Sequence, residues 1–292
     1  MRKSVIGVIG GSGLYEIQGL GRIERQRLAT PFGDPSDEYV VGELENAVLV
    51  FLPRHGRGHR LLPHEINFRA NIHGMKQLGV EWIISVSAVG SMREDLRPGD
   101  LVVVDQFIDR TKGRVSSFFG GGAAGHIQFA DPVCPDLAAV LGKIARQVTE
   151  QDGGGARVHQ GGTYVVIEGP QFSTRAESRM YRSWGVDVIG MTNLPEAKLA
   201  REAEICYATV ALVTDYDCWH ESEGEVSVEK VLAVLSRSNR LARGIIHGAA
   251  LAIAGPRRCR CAEAARNALI TDPAVVDPET RQRLALIVGN HQ

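Results

Sequence analysis

Short runs rich in valine and isoleucine recur along the 292-residue chain, and segments with helical periodicity lie between them. Continuous apolar runs of this length are typical of strands that are buried on both faces. Their alternation with helices predicts an α/β fold, with a twisted central sheet that is mainly parallel or mixed and is flanked by helices. We predict strands at residues 4–9, 48–52, 82–86, 101–105, 163–167, 186–190 and 208–214.

Four segments carry the apolar repeat of an amphipathic helix, with polar residues on the opposite face. In the third of them Asn193 is a candidate N-cap, and Glu196 stands where a capping box needs a glutamate. The four segments are residues 63–78, 175–184, 193–206 and 227–254. We expect residues 1–254 to form one α/β domain and residues 255–292 to form a C-terminal helical extension packed on it.

The glycine-rich segment 111–125 lacks either periodicity, and we predict a mobile surface loop there. Its G-x-G-x-x-G match at residues 120–125 follows no predicted strand and opens no clear helix, so it does not indicate a dinucleotide site.

Composition is that of an ordinary globular protein, with 44% hydrophobic and 23% charged residues. The formal net charge is −1, which argues against a broad nucleic-acid-binding surface because such a surface needs a basic excess. No apolar run has the length of a membrane span, and the apolar run within residues 1–13 is too short for a signal peptide. We therefore expect a cytoplasmic protein.

The five cysteines have no spacing that suits a zinc site, and their number is odd. In a reducing compartment they are expected to be free thiols. They are Cys134, Cys206, Cys218, Cys259 and Cys261.

Polar residues and glycines follow the predicted strands, and ligands of open α/β sheets bind at these strand ends. Gly10–Gly13, the pair Arg54–His55 and the pair Ser87–Ala88 follow the first three strands, and Thr192 follows a later one. Glycine N–H groups, small hydroxyls and an arginine are the donors that a phosphate group needs. Each feature alone also fits a tight turn, a solvated loop or a plain strand end, whereas the set together indicates a phosphate site.

Asp215 and Asp217 follow the last predicted strand. Two carboxylates at a strand end suit acid–base chemistry or recognition of an amino group. A turn or a helix N-cap also explains them, because aspartate favours both. No histidine or aspartate at a suitable spacing supports metal ligation.

From Ile6 to Ile246 the chain resembles the trimeric purine nucleoside phosphorylases, and most closely the branch that cleaves S-methyl-5′-thioadenosine. This resemblance implies a single α/β domain assembled as a homotrimer or homohexamer, with inorganic phosphate as co-substrate and no metal or other cofactor. The motifs that carry it are IGGSGLY (9–15), LPRHGRGH (52–59), SAVGSMRE (87–94), GDLVVVDQFIDRT (99–111), IEGPQFSTRAES (167–178), GMTNLPEAKLAREAEICYA (190–208) and TDYDCW (214–219).

The resemblance also implies roles for individual residues. Asp215 is the implied catalytic residue, and it shares the polar edge of the purine with Ser173 and Asp217. Met191 would lie against the ribose, Phe172 would stack on the purine, and His126 would reach the 5′ end from a neighbouring subunit. Val228 and Val231 would line an apolar 5′ pocket. The implied phosphate ligands are Ser12, Arg54, His55, Ser87, Ala88 and Thr192, with serine at positions 12 and 87 where relatives often carry threonine.

The implied reaction is phosphorolysis of S-methyl-5′-thioadenosine to adenine and 5-methylthioribose 1-phosphate, a step of purine and methionine salvage. Phosphorylases of 6-oxopurines carry glutamate in place of Ser173 and asparagine in place of Asp215, so this chain favours a 6-aminopurine. Activity on S-methyl-5′-thioinosine or on 6-oxopurine nucleosides stays open. A nucleoside hydrolase is a weaker alternative because it needs no Arg54, and a non-catalytic α/β protein is weaker still. Cys259 and Cys261 resemble a pair that forms a redox-sensitive bridge in some thermophilic relatives.

Overall fold

The computed structural model describes residues 3–11, 14, 16–220, 228–253 and 255–288. Its strands are β1 (Ser4–Gly10), β2 (Gly21–Gln26), β3 (Tyr39–Leu44), β4 (Ala47–Pro53), β5 (Trp82–Ser91), β6 (Leu101–Val103), β7 (Gln106–Arg110), β8 (Val158–Gln160), β9 (Thr163–Ile167), β10 (Val188–Gly190) and β11 (Cys206–Asp215). Its α-helices are α1 (Phe68–Gln77), α2 (Pro135–Asp152), α3 (Arg175–Ser183), α4 (Asn193–Glu202), α5 (Val228–Ala252) and α6 (Pro278–Val288), with short 3₁₀ turns at Arg260–Glu263 and Pro273–Val275.

The strands of the described residues form one mixed sheet, which confirms the predicted fold class. Its longest path runs β2-β3-β4-β1-β5-β10-β9-β7. Strand β5 is the hub, because it pairs in parallel with β1 and β11 and antiparallel with β10. The carboxyl end of β11 therefore lies beside the end of β5, and the carboxyl end of β1 lies beside the middle of β5.

Side chains alternate between the two faces of the sheet, as strand geometry requires. In β1, Ile9 joins one buried cluster, while Ile6 and Val8 join another. The first cluster includes apolar residues of α1, α4 and α6, and the second includes those of α2 and α5. The result is a three-layer arrangement with helices on both faces.

All seven predicted strands are present, six of them with shifted ends and the strand at 163–167 with the predicted bounds, but the sequence analysis missed β2, β3, β7, β8 and α2. Strand β2 has no buried residue, so it shows no apolar run. Helix α2 does carry a signal, since Leu137, Leu141 and Ala145 recur at four-residue spacing on its buried side. Strand β5 continues five residues beyond its predicted end at Val86.

The prediction of a mobile surface loop at residues 111–125 is wrong for its central part. Phe118 is fully buried, and its backbone N–H donates to the Glu202 carboxylate at 2.6 Å. The Ser117 hydroxyl donates to the same carboxylate at 2.8 Å. Leu284 and Ile287 of α6 lie in the same buried cluster as Phe118, so the C-terminal segment contributes to this core.

None of the helices in the described ranges is both long and apolar enough to cross a bilayer.

Candidate active site

The carboxyl ends of β1 and β4 lie next to each other, and the middle of β5 lies on the other side of β1. Gly10 pairs with Pro53 in the parallel register, and the Arg54 N–H donates to the Gly10 carbonyl at 2.9 Å. Ile9 pairs with Ser85 on the other side of β1. Ser12, the first of the predicted phosphate ligands, lies outside the described residues.

Arg54 is buried beneath this junction and forms a two-point ion pair with Glu196. Its Nε lies 2.8 Å from Glu196 Oε2, and its Nη2 lies 2.9 Å from Oε1. Burial acts to lower the pKa of Arg54, but the Glu196 charge and its hydrogen bonds raise it, with a net rise. The guanidinium is therefore a permanent cation, and its geometry is the bidentate one that arginine favours with carboxylates.

A second layer of hydrogen bonds fixes Glu196 in turn. Ser85 Oγ and the Tyr207 hydroxyl each donate to Glu196 Oε1 at 2.9 Å. Asn193 Nδ2 donates to Ser85 Oγ at 3.0 Å and to the Tyr207 hydroxyl at 2.9 Å. Every member of this network is buried, and among the described residues Asn193 Oδ1 is its one side-chain atom without a hydrogen-bond partner.

The capping roles predicted for Asn193 and Glu196 are wrong. The N-cap of α4 is Thr192, which makes no side-chain capping bond, and Leu194 interrupts the helical backbone one residue after Asn193. Both side chains point instead into the Arg54 network. Local spacing did not reveal this role because Arg54 and Glu196 are 142 residues apart.

Two hydroxyls meet beside the Arg54 network. Ser87 Oγ lies 3.3 Å from Thr192 Oγ1 and 3.1 Å from the Tyr164 hydroxyl. Ser87 and Ala88 stand within β5 rather than after it, and Ala88 is exposed at this point. The structure thus brings together Arg54, Ser87, Ala88 and Thr192, a cation beside small donors, as expected of an anion site.

His55 is the neutral neighbour of this cation. Its Nδ1 donates to the Leu61 carbonyl at 2.8 Å, because a carbonyl oxygen only accepts, and its ring stacks on His59 with centroids 4.2 Å apart. Burial lowers the pKa of His55 to about 4, with the Arg54 charge as a further cause. Near neutral pH the Nε2 atom therefore carries a lone pair and accepts hydrogen bonds.

The two predicted aspartates are linked directly. The Asp217 N–H donates to Asp215 Oδ1 at 2.8 Å, and Thr214 Oγ1 donates to Asp215 Oδ2 at 2.7 Å. A register shift in β11 between Val213 and Asp215 turns this carboxylate toward Gly90 of β5. A Cβ at Gly90 would lie 2.9 Å from Asp215 Oδ1, so only glycine leaves room there.

Asp217 is the more buried of the pair, and the Ser178 hydroxyl donates to its Oδ2 at 2.5 Å. Burial raises the pKa of Asp217, the hydrogen bond from Ser178 opposes the rise, and the nearby Asp215 charge adds to it. The pair is therefore arranged to hold a proton more tightly at Asp217 than an exposed aspartate would.

Ser173 lies next to this pair with an unused hydroxyl. Cys218 Sγ donates to the Ser173 carbonyl at 3.2 Å, which connects the segment after β9 to the segment after β11. The Ser173 Oγ is buried and has no hydrogen-bond partner among the described residues. Such a group costs about 1–3 kcal/mol unless a ligand pairs with it. Phe172, one residue earlier, leaves 48% of its surface exposed.

Arg114 fixes the two segments that carry Ser173 and Met191, and the sequence reading missed it. Its side chain is only 3% exposed. The guanidinium donates to the carbonyls of Met191 and Leu194 at 2.7 and 2.8 Å, and to that of Glu168 at 2.6 Å. Arginine among glycines gave no sign that it would be buried.

Among the described residues, no recorded contact connects the residues predicted for the 5′ end with this cluster. His126 is exposed, and its N–H donates to the Ala268 carbonyl at 2.9 Å. Val231 is half-buried near the start of α5. The side chain of Val228 lies outside the described part of the structure.

Residues 87–90 of β5 thus connect a cluster of one cation and two hydroxyls with a pair of aspartates. Residues 5–250 match the family described as the Phosphorylase superfamily. The chain belongs to this family.

Relatives with assigned names are similar over their whole length. An S-methyl-5′-thioadenosine phosphorylase of Geobacter sulfurreducens is 59% identical, with 99% of each chain covered. That of Koribacter versatilis is 56% identical, with 99% of this chain and 97% of the relative covered.

Solved structures are also similar to this chain over almost its full length. A methylthioadenosine phosphorylase from an Antarctic soil metagenomic library has a TM-score of 0.92 at 48% identity, covering 98% of this chain and 99% of that one. The methylthioadenosine phosphorylase from Schistosoma mansoni in complex with adenine has a TM-score of 0.82 at 35% identity, covering 99% of each chain.

Proposed function

We propose that this chain cleaves S-methyl-5′-thioadenosine with inorganic phosphate, giving adenine and 5-methylthioribose 1-phosphate. The observation that carries the proposal is the layout of β5. Ser87 lies in the cationic cluster, and Gly90, three residues further on, faces Asp215. At about 3.3 Å per residue the two ends are about 10 Å apart, which suits a phosphate at one end and a purine at the other. The names of the relatives at 59% and 56% identity support the same reaction.

At the phosphate end, Ser87 and Thr192 would donate their hydroxyls, and Ala88 would present its N–H. Arg54 would supply the charge. Among the described residues its Nη1 has one acceptor, Val86 O at 3.0 Å, so a second hydrogen is available for a phosphate oxygen. Ser12 and His55 would complete the site, with His55 Nε2 accepting the hydroxyl of a monohydrogen phosphate. Bound phosphate would stabilise the positive charge that develops on the ribose and then capture the anomeric carbon with inversion.

At the base end, negative charge moves onto the purine as the N-glycosidic bond breaks. Asp215 would hydrogen-bond to N7 and the 6-amino group and share a proton with the leaving base. The raised pKa of Asp217 supports a proton on that carboxyl at the purine edge. Ser173 would use its unpaired hydroxyl on the purine edge, and Phe172 would cover the ring.

Other predicted residues would contact the ribose and its 5′ substituent. Met191 would contact the ribose, because Arg114 holds its backbone beside the Ser87–Thr192 cluster. Val228 and Val231 would form an apolar 5′ pocket, and His126 would enter from a neighbouring subunit of a homotrimer or homohexamer. An apolar pocket accepts a methylthio group and leaves a 5′-hydroxyl unpaired, which favours the thio-nucleoside. The scheme uses phosphate as co-substrate and routes no step through a metal or redox cofactor.

Release of free base from methylthioadenosine, methylthioinosine, adenosine and inosine, each with and without phosphate, tests the proposal. We expect methylthioadenosine to have the highest kcat/KM and to need phosphate. Faster cleavage of methylthioinosine would overturn the role of the aspartates but leave the phosphate site. Cleavage without phosphate would indicate a hydrolase and remove the role of Arg54.

A further inference from the structure

Four of the five cysteines meet at one point far from the site described above. The sulfurs of Cys134, Cys206, Cys259 and Cys261 all lie within 4.8 Å of one another. The closest recorded pair is Cys206 Sγ and Cys259 Sγ, at 3.3 Å. All five cysteines of the chain are free thiols in this structure.

We propose that Cys134, Cys206, Cys259 and Cys261 bind one Zn²⁺ ion in a closed tetrathiolate site. Zinc takes four thiolates in tetrahedral geometry with Zn–S distances of about 2.3 Å, which places the sulfurs about 3.8 Å apart. The observed cluster is within about 1 Å of that spacing. A site of four thiolates with no other ligand is typical of structural zinc.

The site joins three separate elements, which explains why the sequence spacing did not reveal it. Cys134 is the N-cap of α2, Cys206 is the first residue of β11, and Cys259 is the N-cap of the 3₁₀ turn Arg260–Glu263. Only Cys259 and Cys261 are neighbours along the chain. The other two ligands come from positions more than 50 residues away.

Burial and charge suit a metal thiolate. Cys134, Cys206 and Cys261 are buried and Cys259 is half-buried, so a bound ion would be shielded from water. The N-terminus of α2 at Cys134 offers the positive end of a helix dipole to a thiolate. This helix end partly offsets the excess negative charge of four thiolates around a divalent ion.

Convergence of four sulfurs favours a metal over disulfides. A disulfide brings two sulfurs together and places no requirement on a third, whereas each sulfur here lies near all three others. The two disulfides that four cysteines can form, and the single Cys259–Cys261 bridge, are the alternatives that the experiment distinguishes.

The position on β11 predicts a structural role. Cys206 begins this strand and Asp215 ends it, nine residues later. At about 3.3 Å per residue the two lie about 30 Å apart, so the metal would not contact the substrate. Zinc would instead tie the start of the C-terminal segment to α2 and β11 and so stabilise the folded chain.

The test measures metal in the full-length chain, purified under reducing conditions, loaded with Zn²⁺ and desalted without chelator. We expect about one zinc per chain by elemental mass spectrometry, released when a mercurial titrates four thiols. Cobalt loading should give the intense visible absorption of tetrahedral cobalt thiolate. The apparent Tm should fall when a chelator removes the metal.

Cysteine variants test which sulfurs bind the zinc. Cys259→Ser and Cys261→Ser should each lower the zinc content by at least tenfold, whereas the matched control Cys218→Ser should keep one zinc, because Cys218 lies outside the cluster. The cobalt spectrum is measured on the unmodified chain, so it tests the proposal even when a cysteine variant does not fold. A loaded chain that holds clearly less than one zinc while its four thiols remain titratable would overturn the proposal. Disulfides among these cysteines in the anaerobically purified chain would also overturn it.

Discussion

The guanidinium of Arg54 meets both carboxylate oxygens of Glu196, at 2.8 and 2.9 Å, with both side chains almost completely buried. This pair sets the position of the cation under the proposed phosphate site. A buried pair is more costly to break than to replace as a whole, because the remaining charge loses its partner in a low-dielectric interior.

Glu196→Gln should therefore weaken phosphate use and stability together. We expect the phosphate KM to rise at least tenfold and the free energy of unfolding to fall by about 3–5 kcal/mol. Steady-state kinetics against phosphate and urea denaturation measure the two effects. Glu150→Gln, on an exposed position of α2, is the matched control and should change neither. An unchanged phosphate KM in a folded Glu196→Gln would disconnect this pair from the anion site.

Gly90 leaves the space that Asp215 occupies. In Gly90→Ala the new methyl group would lie 2.9 Å from Asp215 Oδ1 and 3.1 Å from Ile189 Cγ2, so the carboxylate must move. We expect kcat for methylthioadenosine to fall at least tenfold with less effect on the phosphate KM, because a displaced catalytic group loses its alignment. Gly21→Ala is the control, since a Cβ there meets nothing within 4 Å. Equal kinetics of the two variants would contradict the placement of Asp215.

Asp215→Asn tests the base-recognition role itself. The amide cannot share a proton with the leaving purine, so we expect kcat for methylthioadenosine to fall by about 10²–10⁴-fold. Methylthioinosine should lose less, because an asparagine amide can donate to a 6-oxo group. Circular dichroism should show an intact fold. Retained turnover would remove Asp215 from the mechanism.

Glu202 gives a pH dependence of stability that is separate from catalysis. Burial raises its pKa to about 7, and the hydrogen bonds from Phe118 and Ser117 oppose this rise. The folded state therefore holds the proton more tightly than the unfolded state, in which the glutamate has a pKa of about 4.3. The stabilisation is complete below pH of about 4.3 and is lost as the pH rises to about 7.

Unfolding measured from pH 4 to pH 8 in the parent chain and in Glu202→Gln checks this sign. The variant lacks the titrating group, so its stability relative to the parent should increase as the pH rises through this window. Parallel pH profiles of the two proteins would show that the carboxyl of Glu202 does not carry the effect.

How far the sequence predicts the site depends on whether each signal is local. The strand ends with Arg54, Ser87 and Thr192 were found because apolar runs are followed directly by polar residues, and the structure brings these three together. The Asp215–Asp217 contact is also local. Glu196, at 142 residues from its partner, was interpreted as a helix cap because only the fold reveals what it faces.

The same reason explains the missed elements of the fold. Strand β2 has no buried side chain and forms because β3 offers it backbone partners, which periodicity does not report. Arg114 and Phe118 lie in a glycine-rich segment without regular structure, and tertiary contacts with Glu202 and with backbone carbonyls bury them. The four clustered cysteines come from three elements that only the folded chain brings together.

Phosphorus NMR of the reaction with methylthioadenosine tests the central claim most directly, because it follows the bond that phosphate forms. We expect the inorganic phosphate signal to be replaced by a sugar 1-phosphate signal, equimolar with the adenine released, and no adenine without phosphate. Adenine release with an unchanged phosphate signal would contradict the account, since the chain would then cleave the nucleoside with water.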